Sequence, residues 1–244
     1  MKLFTQLKLE VFRVFRNPYF IFWTLFMPIL FYFVFTNIVT AETTDQDVWA
    51  AHYLMSMTTF SVMGSCIMIF GIRLVQENSE GWSTFIKLTP YPTWAYFFSK
   101  MFAQTVVHVC SIIIIFLAGY IINSVTLTLS QWIFSALWII LGSIPFLAIG
   151  SIVGTIRKVE TASGISNFFY LVLAILGGMW MPLYLFPDLL QSIGKWLPSY
   201  HYGNGAWEII RGNSPDWQNI MSLIAYLILF MLLAITIRKK QQIS

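Results

Sequence analysis

Six long apolar runs leave this chain few ways to fold. They cover about 19–38, 51–75, 93–122, 131–156, 163–185 and 219–237, and the first holds no charge at all. A helix rising ~1.5 Å per residue needs about twenty residues to cross ~30 Å of hydrocarbon. In hydrocarbon every backbone N–H and C=O must find its partner within the protein, so such runs fold as helices. The composition agrees: 58% of residues are hydrophobic and 10% charged, more apolar surface than a water-soluble domain of this length can bury. The fold class read from the sequence is all-α: a polytopic membrane protein with six transmembrane helices, forming a single domain over 1–244.

The runs differ. Pro28 is expected to kink the first. No small-residue cleavage site follows that run, so it reads as a span and not as a cleaved leader. The second is rich in small and hydroxylated residues, among them Ser56, Thr58, Thr59, Ser61, Gly64 and Ser65. Such residues let helices approach closely in lipid, so this run reads as a buried helix. His108 sits inside the third run; the simplest reading is a hydrogen bond to a neighbouring helix. Cys66 and Cys110 both fall in apolar runs and read as reduced packing residues.

Charge sets the expected orientation. With six spans and both termini cytoplasmic, twelve of the fourteen Lys and Arg face the cytoplasm and only Lys195 and Arg211 face outward. The opposite topology reverses that ratio, and basic residues concentrate on the cytoplasmic side. The net charge of +4 is therefore explained by the membrane, with no nucleic acid implied. The expected location is the cell membrane, with the lipid bilayer as one partner.

Three segments outside the runs carry pattern. Residues 2–17 place Leu3, Phe4, Leu7, Val11, Val14 and Phe15 on one helical face. Lys2, Gln6, Arg13 and Arg16 lie on the other, and Leu9 is out of place. This predicts an amphipathic helix lying in the interface and ending at Arg16-Asn17-Pro18. Segment 76–92, QENSEGWSTFIKLTPYP, is the longest polar interruption between two long runs. It predicts a short cytoplasmic helix over 79–88, with Ser79 as cap and Glu80 in the first turn. Trp82, Phe85, Ile86 and Thr89 would share one face, and Pro90 and Pro92 would stop the helix. On the residues alone, this is either a helix lying on lipid headgroups with Trp82 as anchor or a docking helix for a soluble partner. The residues favour the first. The third segment, expected outside the cell, packs Pro182, Pro187 and Pro198 with several aromatics into a short stretch. That predicts short re-entrant helices over 186–202, or an interfacial loop with an aromatic belt.

The chain has no phosphate-binding loop: Gly194-Lys195 is followed by Trp196. It has no H-E-x-x-H, no C-x-x-C and no clustered carboxylate pair, so no cofactor or metal is indicated. Every Asp and Glu lies outside the runs or at their ends, unlike an ion-driven carrier. Uphill transport would need an energy source on another chain.

At three places the sequence resembles the permease subunits of ATP-binding-cassette exporters of the second exporter-permease type. These include drug, antibiotic, lantibiotic and polysaccharide export permeases. The helix ending in Arg13, Arg16 and Pro18 is similar to the family's connecting helix. Glu77, Glu80-Gly81-Trp82, Phe85 and Lys87-Leu88-Thr89-Pro90 resemble its coupling segment, E-x-x-x-G-T-x-x-x-L-x-x-T-P, with Ser83 or Thr84 near the usual Thr. Gly178-Met179-Trp180-Met181-Pro182, Phe186-Pro187 and Leu197-Pro198 resemble the signature before the last span. The resemblance implies a six-helix permease half that is not itself an enzyme. It pairs with a second permease chain, identical or sister, and with cytoplasmic ABC ATPase subunits docked on 76–92. It favours the docking reading of that segment and a substrate of amphipathic, peptide, drug-like or lipid-like character moving outward. Two other classes remain on the residues: an intramembrane enzyme using His52, His201 or Asp188, and a non-transporting sensor or assembly factor.

Overall fold

The computed structural model describes residues 2–16, 18–37, 46–82, 88 and 92–243. These are helical almost throughout: α1 (Lys2–Phe15), α2 (Pro18–Asn37), α3 (Gln46–Ser79), α4 (Thr93–Asn123), α5 (Leu129–Gly142), α6 (Ile144–Val153), α7 (Val159–Leu176), α8 (Asp188–Trp196), α9 (Pro198–Ile210) and α10 (Trp217–Ile243). Among the described residues, five helical stretches are long and apolar enough to cross a membrane: Gln46–Ser79, Phe98–Asn123, Leu129–Val153, Val159–Leu176 and Trp217–Lys240. The run expected as the first span falls on α2, where the qualifying apolar part, Thr24–Asn37, is shorter.

The bundle is built around α3. In its apolar window 89% of residues are buried, against 22% in α7 and 11% in α10. The outer helices therefore present bare Leu, Ile, Met and Phe, such as Phe168, Ile228 and Leu232. No soluble fold leaves this much apolar surface open; a bilayer covers it. The expected role of small residues in α3 is met at its crossing with α6: a Cβ on Gly150 would lie 2.2 Å from the Cys66 carbonyl oxygen, and one on Gly71 2.9 Å from Val153. The hydroxyls of Thr58 and Thr59 bond back to the carbonyls of Leu54 and Met55 at 2.7 and 2.9 Å, so α3 buries them satisfied. Ser61 has a different use. Pro28 has no N–H to give the Thr24 carbonyl one turn before it. The Ser61 hydroxyl, from α3, donates to that oxygen at 3.1 Å.

A π-helical stretch, Ser65–Phe70, interrupts α3. There Gln104 Nε2 donates to the Ser65 carbonyl at 3.3 Å. His108, fully buried, lies 3.4 Å from both Cys66 Sγ and Ser143 Oγ, so it bridges α3, α4 and the α5–α6 junction. Cys66 and Cys110 are both free thiols.

Two expected boundaries are corrected. The fifth run, 163–185, does not stay helical: α7 stops at Leu176. Met179 N bonds Ala174 O and Gly178 N bonds Ile175 O, a Schellman turn that needs the left-handed φ of +77° at Gly178. Hydropathy does not register this turn, because Met179 to Leu185 remain apolar. The polar stretch from Tyr200 hides α9, whose His201, Tyr202, Ala206 and Trp207 are buried against α3, α5 and α10. Each proline of the region begins an element: Pro182 precedes a short 3-10 turn (Leu183–Leu185), Pro187 precedes α8, and Pro198 is the first residue of α9.

Candidate functional site

The described residue types with most to say about function converge where α1, the end of α3 and the start of α4 meet. Arg73 and Glu77 stand one turn apart on α3, as do Tyr96 and Lys100 on α4. Glu77 is 2% exposed and Lys100 1%. The Glu77 carboxylate accepts from Arg13 Nη1 at 3.2 Å, from the Tyr96 hydroxyl at 2.7 Å and from Lys100 Nζ, with Arg73 Nε 3.5 Å away. Three hydrogen bonds and one longer ion pair thus converge on its two oxygens. Glu10 of α1, 2% exposed, pairs with Arg73 and lies 3.5 Å from Lys100 Nζ. Burial and the adjacent Glu77 carboxylate raise the Tyr96 phenol above its usual range, so it keeps the proton it donates. Three cations thus surround two buried carboxylates. A third, Glu80, sits at the surface 3.9 Å from Arg13.

In this arrangement one residue of the expected water face, Arg13, turns to the bundle. Arg13, together with Glu10, holds α1 to the bundle, while Leu9 and Phe12 are 59% and 66% exposed. The reason is the solvent. Beside lipid, polar groups gain more from one another than from the surroundings. Val11 packs on Ala103 and Val107 of α4 and keeps the two helices in contact.

The expected helix cap at Ser79 is corrected too. α3 continues straight through 76–79, and Ser79 is its last residue, its hydroxyl bonding the Gln76 carbonyl at 2.8 Å. The helix ends because Gly81 takes a left-handed φ of +73°. Trp82 follows, with the Arg13 guanidinium 5.5 Å above its ring. Phe85, Lys87 and Pro90 lie outside the described residues. Arg16 is exposed at the end of α1, and Pro18 opens α2. The structure therefore joins Glu77, Glu80 and Trp82 of the expected coupling residues, with Arg13 of the expected interfacial helix, into one cluster. Gly178, Pro182, Pro187 and Pro198 belong to the other end of the bundle, where the Tyr53 hydroxyl bonds the Trp180 carbonyl at 2.8 Å.

Sequence reasoning missed Glu10, Tyr96 and the depth of Lys100. The signal was present: Lys100 lies within an otherwise uncharged run, which demands a buried carboxylate, and Glu80 and Glu77 are the nearest acids across the polar break. Among the described residues no group of three or more His, Cys, Asp or Glu is placed to hold a metal.

The family model described as "ABC-2 family transporter protein" matches residues 39–236. A Bacillus subtilis (strain 168) protein named "Putative transport permease YvfS" is 58% identical over 233 residues, covering 96% of this chain and 95% of that protein. With its all-helical, membrane-crossing architecture, the chain belongs to the ABC-2 family of transport permeases.

Proposed function

We propose that the chain is the membrane-spanning half of an ATP-driven exporter in a bacterial cytoplasmic membrane. Six spans, α2 included, place both termini and 76–92 on the cytoplasmic side. Two such halves, identical or sister chains, pair. Cytoplasmic ABC ATPases engage the surface that starts at Glu80 and Trp82, and their closure is passed to the spans. The substrate leaves the cytoplasm or inner leaflet; spans that carry no charge beyond the cluster at one end suit an amphipathic, peptide, drug-like or lipid-like molecule.

One observation carries this reading. The ion-pair cluster ties α1 and α4 to the end of the central helix at the point where 76–92 begins. A push on the surface there moves three helices together, α3 among them. Glu77 is then a positioning residue inside the joint, and Glu80 and Trp82 are the surface it supports. The sidedness is also consistent: Asn78 bonds the Gly154 carbonyl at 2.9 Å, and Arg238 lies within electrostatic reach of Tyr96. The segments assigned to the cytoplasm by charge thus gather at one end, where basic residues concentrate.

The test is purification in mild detergent with the co-expressed ATPase, followed by reconstitution. ATP hydrolysis and transport are expected to require both chains. A monomeric chain that transports in liposomes without any ATPase would overturn the reading. So would strong labelling of Ser79→Cys from outside intact cells in a background lacking Cys66 and Cys110.

A further inference from the structure

The end of the bundle away from the ion-pair cluster holds an open-mouthed cavity of about 720 Å³ between the first turns of α3, the start of α5, and α8 and α9. That is the size of a small-molecule site, ~300–1,000 Å³. One wall is aromatic. His52 stacks on Trp207 with ring centres 4.6 Å apart and planes 23° apart, and Trp49 stacks on His52 at 6.2 Å. Tyr200 meets Trp207 edge-on at 6.3 Å. The wall is fixed to the core, since Trp207 is buried and its Nε1 donates to Ser56 Oγ of α3 at 3.0 Å.

The polar lining is uneven. Arg211 is held by Glu208 at 3.0 Å. Asp47 lies in the first turn of α3, where the helix dipole favours a negative charge. Lys195 and the Asn204 amide also line the cavity, and neither has a hydrogen-bond or ion-pair partner among the described residues. A flat aromatic wall beside one free cation and one free amide is a recognisable combination. The wall takes an apolar ring system, the amide orients it, and the ammonium selects against cations that would otherwise stack on tryptophan.

We infer that this cavity is a binding site for a small amphipathic anion, its apolar body lying on Trp49, His52 and Trp207 and its acidic group meeting Lys195 and Asn204. The inference rests on the transport reading only for the side to which the cavity opens, which is outward. Binding needs no ATPase, so the two fail separately.

The test uses the whole chain in phosphatidylcholine nanodiscs, titrated with naphthalene-2-sulfonate and, separately, with 2-naphthylmethylammonium. Saturation-transfer NMR follows binding, with empty nanodiscs subtracted. The sulfonate is expected to bind, and the ammonium at least about fivefold more weakly. Lys195→Glu, at an exposed position, is expected to weaken sulfonate binding about fivefold. Asn204→Trp fills the cavity and is expected to abolish it. If that variant misfolds, Lys195→Glu and the probe comparison carry the test alone. No sulfonate binding above empty discs, equal binding of the two probes, or sulfonate binding unchanged in Lys195→Glu overturns the inference.

Discussion

At its C-terminal end α3 is gripped by charge: Arg73 and Glu77 bind partners from α1 and α4 around two buried carboxylates. At its N-terminal end it is gripped by rings and neutral hydrogen bonds: His52 on Trp207, Tyr53 on Phe35 at 5.1 Å, and the Tyr53 hydroxyl on the Trp180 carbonyl. The two chemistries respond differently to change. Removing one member of a buried ion cluster leaves the others unpaired in a medium that penalises charge, so the loss is abrupt. Removing one ring from an aromatic wall forfeits a contact worth ~0.5–1.5 kcal/mol and leaves its neighbours in place. The charged end acts as a joint that holds or fails. The aromatic end yields by degrees and keeps a cavity open.

The sharpest break of this contrast is Glu77→Gln. It leaves Lys100 and Arg73 with Glu10 as their one remaining carboxylate, and is expected to cost ~3–5 kcal/mol in thermal unfolding of the chain in nanodiscs. Glu77→Leu combined with Lys100→Met is expected to recover most of that loss, because a buried pair exchanged for apolar residues is often neutral. Trp207→Phe, at the other end, keeps the stack on His52 and loses the bond to Ser56, for ~1 kcal/mol. If Glu77→Gln costs no more than Trp207→Phe, the two ends do not differ as argued.

Between the ends stands Ser61→Ala. It removes the α3 hydroxyl that bonds the Thr24 carbonyl, which Pro28 already deprives of its helix partner, at ~1 kcal/mol. Faster amide exchange around residue 28 on α2 is the measurement, and no change there would show that water or another group serves that oxygen.

The glycine pair Gly81 and Gly178 sharpens the comparison further, since both take a left-handed φ, one at each end. A Cβ on Gly81 meets nothing within 4 Å, whereas one on Gly178 lies 3.2 Å from Leu183. Gly81→Ala is expected to cost only the backbone strain, ~1–2 kcal/mol, and Gly178→Ala more. Equal melting shifts would mean the turn after α7 has room to adjust.

What the sequence disclosed follows the same division. Helices that face lipid are uniform apolar runs, and α4 was legible nearly to the residue: 93–122 expected, Thr93–Asn123 found. The burial of α3 was legible from its serines, threonines and glycines. Where polar groups satisfy one another inside the protein, the pattern misleads, because a helical wheel assigns every polar residue to water. That is why Glu10 was missed, and why α9, with its buried His201 bonded to Asn219 at 2.9 Å, read as a polar connection. Turns inside apolar stretches, such as the one at Gly178, leave no trace in hydropathy and show only as paired glycines.

The smallest expected effect on stability is the one that bears most on function. Glu80 is largely exposed, and its contact with Arg13 is long at 3.9 Å. Arg13 keeps Glu77 in any case. Glu80→Ala is therefore expected to change folding by no more than ~0.5 kcal/mol, within the range of surface substitutions. If the surface at Glu80 and Trp82 meets an ATPase, the same change weakens a charge-assisted contact at a protein interface and lowers ATPase stimulation modestly. Glu80→Lys with Phe85→Ala removes the acid, reverses its sign and takes away an apolar anchor, and is expected to abolish stimulation while the chain still reaches the membrane at normal abundance. Glu77→Gln is the counterpart, failing in abundance and coupling together because it unseats the joint. Should the Glu80 and Phe85 double variant stimulate its ATPase normally at full abundance, segment 76–92 lies on lipid headgroups, and the joint beneath it serves only to hold the bundle.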